Sequence, residues 1–247
     1  MPIIDPVTTQ RRPALVLMQT ILGEVGMPQP GSILAGDDTT VQLLYLMNGF
    51  GARLSRMPFW SELVEEFNVT TTTDTEYDLP FDWGVPLAGT NWDRTARWPL
   101  VGPVTPAEWQ VLKSGFGAAA PRFRFRFKDA QFCLHTTPEV GLTIVQEYLS
   151  TGWILGLSGA TATVRKPRIT LDTDYVLLDE EMFICGVKLL WKEAKGLDTA
   201  ALVGDFKAML DAAWGSSAGA PILSLAPSGV SMLLGYGNVP DTNFGAP

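Results

Sequence analysis

Apolar residues recur at three- and four-residue steps near both ends of the chain and at every second position in its middle, which predicts helices flanking a β-rich region. Leu15, Met18, Leu22 and Val25 form one helical stripe, with Pro13 before it and Gly26 after it as a C-terminal stop. After the loop MPQPGSILAGD, Asp38 is placed to cap a second helix with two apolar faces. Val41, Leu44 and Tyr45 lie on one, and Leu43, Leu46, Met47, Phe50 and Leu54 on the other. A helix apolar on two faces is expected to have two neighbours. A third helix begins near Asp179 and directs Phe183, Val187, Leu190, Trp191 and Ala194 inward before Lys195 and Gly196. A fourth follows Asp198 and carries Leu202, Phe206, Met209, Leu210 and Ala213.

Between these helices the period changes to two. FNVTTTTDTEYDLP has β-branched residues on both sides of a polar turn and reads as a hairpin. RFRFRFK alternates Phe123, Phe125 and Phe127 with Arg122, Arg124, Arg126 and Lys128, and QFCLHT and LTIVQEYLS supply further strands beyond turns at Asp129–Ala130 and Pro138–Gly141. In NWDRTARWPLVGPVTPAEWQ, Thr105, Pro106 and Glu108 make a capping box with proline at the first helical position, so a short helix starts there. Trp92 to Trp98 is expected to be extended, with Arg94 stacked between the two rings and Pro99 and Pro103 stiffening the link. Together with Trp109 this makes a rigid structural knuckle in which Trp98 and Trp109 are buried.

The fold class that follows is α+β. Helices from residues 1–60 and 172–217 form a discontinuous helical bundle, residues 61–171 an inserted antiparallel β region, and residues 218–247 an extended C-terminal arm.

Composition narrows the function more than the fold. With 247 residues, 46% of them hydrophobic, the chain can bury one large core or two smaller ones, and its apolar runs fall far short of the roughly 20 residues a bilayer span needs. No membrane partner is expected, and an N-terminus with its arginines after its apolar residues has the wrong order for a signal peptide, which points to the cytoplasm. Cys133 and Cys185 fall in different elements and read as buried apolar residues. A net charge of -8 opposes tight binding to a phosphate backbone.

Candidate chemistry is sparse. GLSGA has alanine where a nucleophile elbow needs its second glycine, and the single histidine, His135, precedes Ser158. One histidine and two separated cysteines do not make a zinc site, and Asp172 and Asp174 are followed by Val176 and Leu177 where a calcium loop needs oxygen and glycine. Asp179, Glu180 and Glu181 read as complements to a helix dipole. No catalytic, cofactor-binding or metal-ligating set is expected. The basic row Arg122, Arg124, Arg126 and Lys128 has three readings: a track for nucleic acid, a face that pairs with a neighbouring subunit or lines a lumen, or a solvated strand face over a phenylalanine core.

Residues 218–247 contain one charge, Asp241, with four prolines, five glycines and an apolar set that includes Leu223, Leu225, Met232, Leu233, Leu234, Tyr236 and Phe244. Such a segment exposes apolar surface unless it is covered, either by its own chain or by another subunit.

Four segments, GDDTTVQLLYLMNGFGARLSR, FWSELVEEFNVTTTTDTEYDLPFDW, NWDRTARWPLVGPVTPAEWQVLKSG and ICGVKLLWKEAKGLD, are followed by a helix and an apolar tail. Together they resemble the head-to-tail adaptor proteins of tailed bacteriophages, in particular the tubular tail adaptors of short-tailed phages. The resemblance spans about residues 14 to 217 and consists of spacing and Trp/Pro placement. It implies a non-enzymatic virion protein of the neck or tail, made in the host cytoplasm, that forms a homo-oligomeric ring of about twelve copies beneath the portal ring. Its helices would pack on the portal and its C-terminal arm, with the seven apolar residues named above, would embrace the portal or a neighbouring subunit. Its β region would face the tail nozzle or fibres, and its lumen would touch genomic DNA transiently and without sequence preference. A head-completion protein of a long-tailed phage would have the same chemistry. A virion-associated carboxylate hydrolase would need two acids about 5 to 10 Å apart in a cleft, and the sequence singles out no such pair.

Overall fold

Helix boundaries follow the local chemistry closely. Pro13 leads into α1 (Ala14–Glu24), and Gly26, at φ 73, supplies the left-handed turn beyond its end. The next helix, α2 (Asp38–Leu54), is capped one residue earlier than expected, by Asp37, whose carboxylate accepts from Thr40 N at 3.0 Å and Thr40 Oγ1 at 2.6 Å. These bonds, the hydroxyl's first, lower the Asp37 pKa. The capping box forms as read: Thr105 opens α3 (Pro106–Lys113), and the Glu108 carboxylate accepts from Thr105 N at 2.8 Å. Asp179 caps α4 (Glu180–Ala194) by accepting from Met182 N at 2.8 Å. The last helix is α5 (Ala200–Ser217), where Asp198 accepts from Ala200 N.

The structure, a computed structural model, describes residues 11–57, 60–115, 123–158 and 162–217. Eleven strands accompany the five helices among them: β1 (Val64–Thr70), β2 (Glu76–Asp78), β3 (Trp83–Pro86), β4 (Trp92–Asp93), β5 (Trp98–Pro99), β6 (Phe125–Lys128), β7 (Gln131–Leu134), β8 (Thr143–Ser150), β9 (Ile154–Ser158), β10 (Ala162–Lys166) and β11 (Tyr175–Val176). They form three antiparallel sheets. In the first the order is β1-β8-β4-β5, with β3 also on β8; the second is β2-β7-β6 and the third β10-β9-β11.

The first two sheets make a small sandwich. Phe67, Ile144 and Tyr148 of one meet Phe125, Phe132 and Tyr77 of the other, and Phe67 and Phe132 approach edge to face at 6.1 Å. The expected hairpin over FNVTTTTDTEYDLP does not form. β1 pairs with β8 and β2 with β7, so the polar turn carries the chain from one sheet to the other, and the Tyr77 hydroxyl donates to Asp74 O at 2.7 Å to pin it. The turn at Asp129–Ala130 does close a hairpin between β6 and β7, with both residues at positive φ.

The helices pack on the third sheet, and this overturns the expected architecture of a helical bundle carrying an inserted β region. Their shared core combines Leu17 and Ile21 of α1, Leu43 and Met47 of α2, and Phe183 and Trp191 of α4 with strand-borne Leu149, Ile154, Leu155 and Val176 and with Trp153. Trp153 is fully buried, donates from Nε1 to Pro167 O at 2.8 Å, and lies 5.7 Å from the Phe183 ring. A Cβ added at Gly51 would stand 2.3 Å from that indole, so the tip of the Trp153 ring rests directly on the α2 backbone. The helices therefore do not make a core of their own: α4 packs against α1, α2 and α5, and strand side chains complete the same core. Periodicity identifies apolar faces but does not say whether a helix or a strand will cover them.

Two helix faces also differ from expectation. On α2 the second apolar face is covered only at Leu44, which packs against the large core, while Val41 and Tyr45 are 39% and 76% exposed. On α5, Phe206 meets Phe50 edge to face at 5.7 Å, whereas Val203 and Met209 remain 48% and 38% exposed.

Candidate functional site

The first sheet turns one face into the sandwich and the other outward, and the two faces follow from strand alternation. On the inner face lie Phe67, Gln146 and Tyr148. On the outer face Glu66 stands directly opposite Glu147, and Asn68 opposite Val145. Val145 is in turn opposite Trp92, and Trp92 opposite Pro99, so one row crosses four strands. Continuing the same register brings Thr90 beside Glu147, where its hydroxyl accepts from Glu147 N at 3.1 Å, and Arg94 beside Thr143, where Arg94 N donates to Thr143 O at 2.8 Å.

At the helical end of this face Val64 and Leu149 are covered by the large core. Away from it the face opens into a cleft of about 490 Å³, lined among others by Glu66, Thr90, Trp92, Arg94, Arg97 and Glu147. Two like charges directly opposite on neighbouring strands destabilise a sheet. Arg94 offsets this by a two-pronged bond to Glu66, with Nη1 at 3.0 Å from Oε1 and Nη2 donating to Oε2. Glu147 and Arg97 have no ion-pair partner among the described residues. Arg97 projects from a loop held by the Asp93 carboxylate, which accepts from Thr95 N and Ala96 N at 2.9 Å each, and it sits at φ 59. Such a face can bind by stacking and by hydrogen bonds from both donors and acceptors. Acid–base work by the Glu66–Glu147 pair would run against the bidentate hold that Arg94 has on one of its members.

The tryptophan knuckle is thus rearranged. Residues 92–99 form a tight hairpin, so Trp92 and Trp98, opposite Pro99 and Asp93 respectively, point to opposite faces and do not clamp Arg94 between them. Trp92 lines the cleft; Trp98 is 47% exposed, against the burial expected of it. Trp109 is 8% exposed and buried as expected.

The basic row is only partly open. Arg122 and the arm residues Leu223, Leu225, Met232, Leu233, Leu234, Tyr236 and Phe244 lie outside the described residues. Arg124 and Arg126 are half-buried beneath α3, and Lys128 ion-pairs with Asp129 at 2.9 Å, which raises its pKa. Trp109 covers the outer face of the second sheet together with Leu112, against Cys133. Burial raises the pKa of that thiol. The His135 ring meets Trp109 at 5.9 Å, and burial, with Lys113 and Arg124 nearby, lowers its pKa.

The acidic motifs have structural partners. Asp174 is fully buried, accepts from Thr170 N, Leu171 N and Lys166 Nζ, and Asp172 accepts from Ile33 N. Arg12 bridges Glu180 and Glu181 at 2.7 Å and 2.6 Å. Among the described residues no group of three or more His, Cys, Asp or Glu side chains is placed to hold a metal ion, and no helix is long and apolar enough to cross a membrane.

Glu66, Thr90, Arg97 and Glu147 escape sequence reasoning because only strand pairing brings them together. The one local signal was the spacing WD-RTAR-WP, two short runs around a four-residue turn, which is a hairpin pattern. Comparison with protein-family models and with curated proteins yields no match.

Proposed function

We propose that this chain is a structural virion protein, a head-to-tail adaptor subunit that assembles into a ring joining the capsid portal to the tail and lining the DNA exit channel. The observation that carries this reading is apolar surface one copy leaves uncovered. Tyr45 and Val41 on α2 and Val203 and Met209 on α5 are exposed, and α5 leads into thirty residues that hold a single charge. Contiguous exposed apolar surface marks association sites, and on this reading these side chains meet a neighbouring copy or the portal. The resemblance of the four quoted segments to tail adaptors names the partners: portal ring, neighbouring copies, and tail nozzle or fibre proteins. The net charge of -8 fits a channel through which DNA slides. On this reading the protein has no catalytic task and resides in the virion.

The test is co-sedimentation with the portal ring encoded in the same genome, using the full chain and a chain ending at Ser217. The full chain binds, and the shortened chain keeps its circular dichroism spectrum but loses the portal. A full chain that never sediments with the portal rejects the proposal.

A further inference from the structure

The cleft on the outer face of the first sheet has a composition that neither an adaptor ring nor a structural knuckle requires. Trp92 makes no ring contact, cation–π contact or hydrogen bond with another described side chain, although tryptophans elsewhere in the fold are packed or bonded. It is fixed between Val145 and Pro99 in a row of paired strands, so its orientation is set by the sheet. Around it in the cleft stand the Glu147 carboxylate, the Thr90 hydroxyl, the Glu66 carboxylate held by Arg94, and Arg97. The volume of about 490 Å³ lies within the range of small-ligand sites, about 300–1,000 Å³.

Charge decides the ligand class. A polyanion such as single-stranded nucleic acid would stack on an indole but would meet Glu66 and Glu147 with its phosphates. A lysine-rich segment would find Glu147 but would meet Arg94 and Arg97. A neutral ligand rich in hydroxyls meets no like charge, because each hydroxyl donates to a carboxylate and accepts from a guanidinium, while an apolar ring face lies on the indole. We propose that this cleft is a carbohydrate-binding site that takes a short neutral oligosaccharide, with Trp92 as the stacking platform and Glu147 and Arg97, neither of which has an ion pair among the described residues, as the side chains that fix the sugar's orientation.

The experiment uses the full chain and a panel of neutral malto-, cello-, chito- and galacto-oligosaccharides, read by saturation-transfer-difference NMR and by tryptophan fluorescence titration. At least one member binds saturably, with an affinity that changes less than about twofold between low and physiological salt, since no net charge is neutralised. Trp92→Ala weakens that binding at least tenfold. Arg97→Ala, an exposed substitution that leaves the fold intact, weakens it severalfold and keeps the test valid if Trp92→Ala does not fold. Absence of saturable binding across the panel overturns the proposal, as does wild-type affinity in Arg97→Ala or in a folded Trp92→Ala. Binding of oligolysine or oligothymidylate in place of any sugar overturns it in favour of a charged partner.

Discussion

The guanidinium carbon of Arg126 lies 5.7 Å from the centre of the Trp109 ring, so the most conspicuous basic strand in the sequence is partly roofed by its own chain. The stacking binds α3 to the second sheet, with Leu112 and Cys133 in the same contact. Trp109→Ala is expected to cost about 3–5 kcal/mol, the range of a large aromatic removed from a core. Thermal unfolding measures the loss. Labelling of Cys133 by a thiol reagent, slow in the wild type because the thiol is buried, should become fast.

Trp98 provides the contrast. At 47% exposure its replacement by alanine should leave stability well above the level reached by Trp109→Ala, and a melting curve on both variants ranks them. Equal losses would contradict the exposure of Trp98.

Two glycines in α2 should respond with opposite signs. Gly49 has nothing within 4 Å of an added Cβ, so Gly49→Ala should stabilise by about 0.5–1 kcal/mol through helix propensity. At Gly51 the same methyl would stand 2.3 Å from the Trp153 indole, and Gly51→Ala should destabilise by about 1–3 kcal/mol. Denaturant midpoints of the two variants make the comparison.

Much of this was legible beforehand and some was not, for reasons particular residues make plain. The capping box at Thr105 and Glu108, the stop at Gly26 and the turn at Asp129–Ala130 are local, set by residues within a few positions of one another, and the structure has them. Trp153, by contrast, sits in the segment TGWILG, too short to show a period, and nothing near it in sequence marks it as the residue that binds strands to helices. The cleft is harder still, because Glu66 and Glu147 become neighbours only through β1–β8 register. Like charges placed opposite each other are not an arrangement local patterning would suggest, and Arg94, which makes it tolerable, looked like a partner for tryptophan.

At Ala130 the hairpin turn holds a residue with a Cβ at φ 58. Glycine adopts that conformation without steric cost, whereas other residues lose about 1–2 kcal/mol in it. Ala130→Gly should therefore raise the unfolding free energy by roughly 1 kcal/mol, read as a higher midpoint in a urea titration.

Stability should also fall with acidification through His135. Its pKa is lowered from 6.5 chiefly by burial, then by Lys113 and Arg124, so folding favours the neutral ring. The contribution is present in full above pH 6.5 and is lost as the pH falls through the lower folded-state value. His135→Phe keeps an aromatic ring against Trp109 and should flatten this part of the profile, as melting temperatures at about pH 7.5 and pH 5 will show.

Only Thr151 and Gly152 separate the end of β8 from Trp153, and both are tied down. Thr151 N donates to Asp82 O at 2.8 Å and Gly152 N to Ser150 Oγ at 2.9 Å, while the Ser150 hydroxyl donates to the Asp82 carboxylate at 2.5 Å. Asp82 belongs to the sandwich side of this crossing and the Trp153 indole to the helical side, so the chain passes between the two cores with no slack. A mechanical load applied to the sandwich is consequently delivered to the helices through an anchored tryptophan, and the crossing transmits force where a looser one would bend.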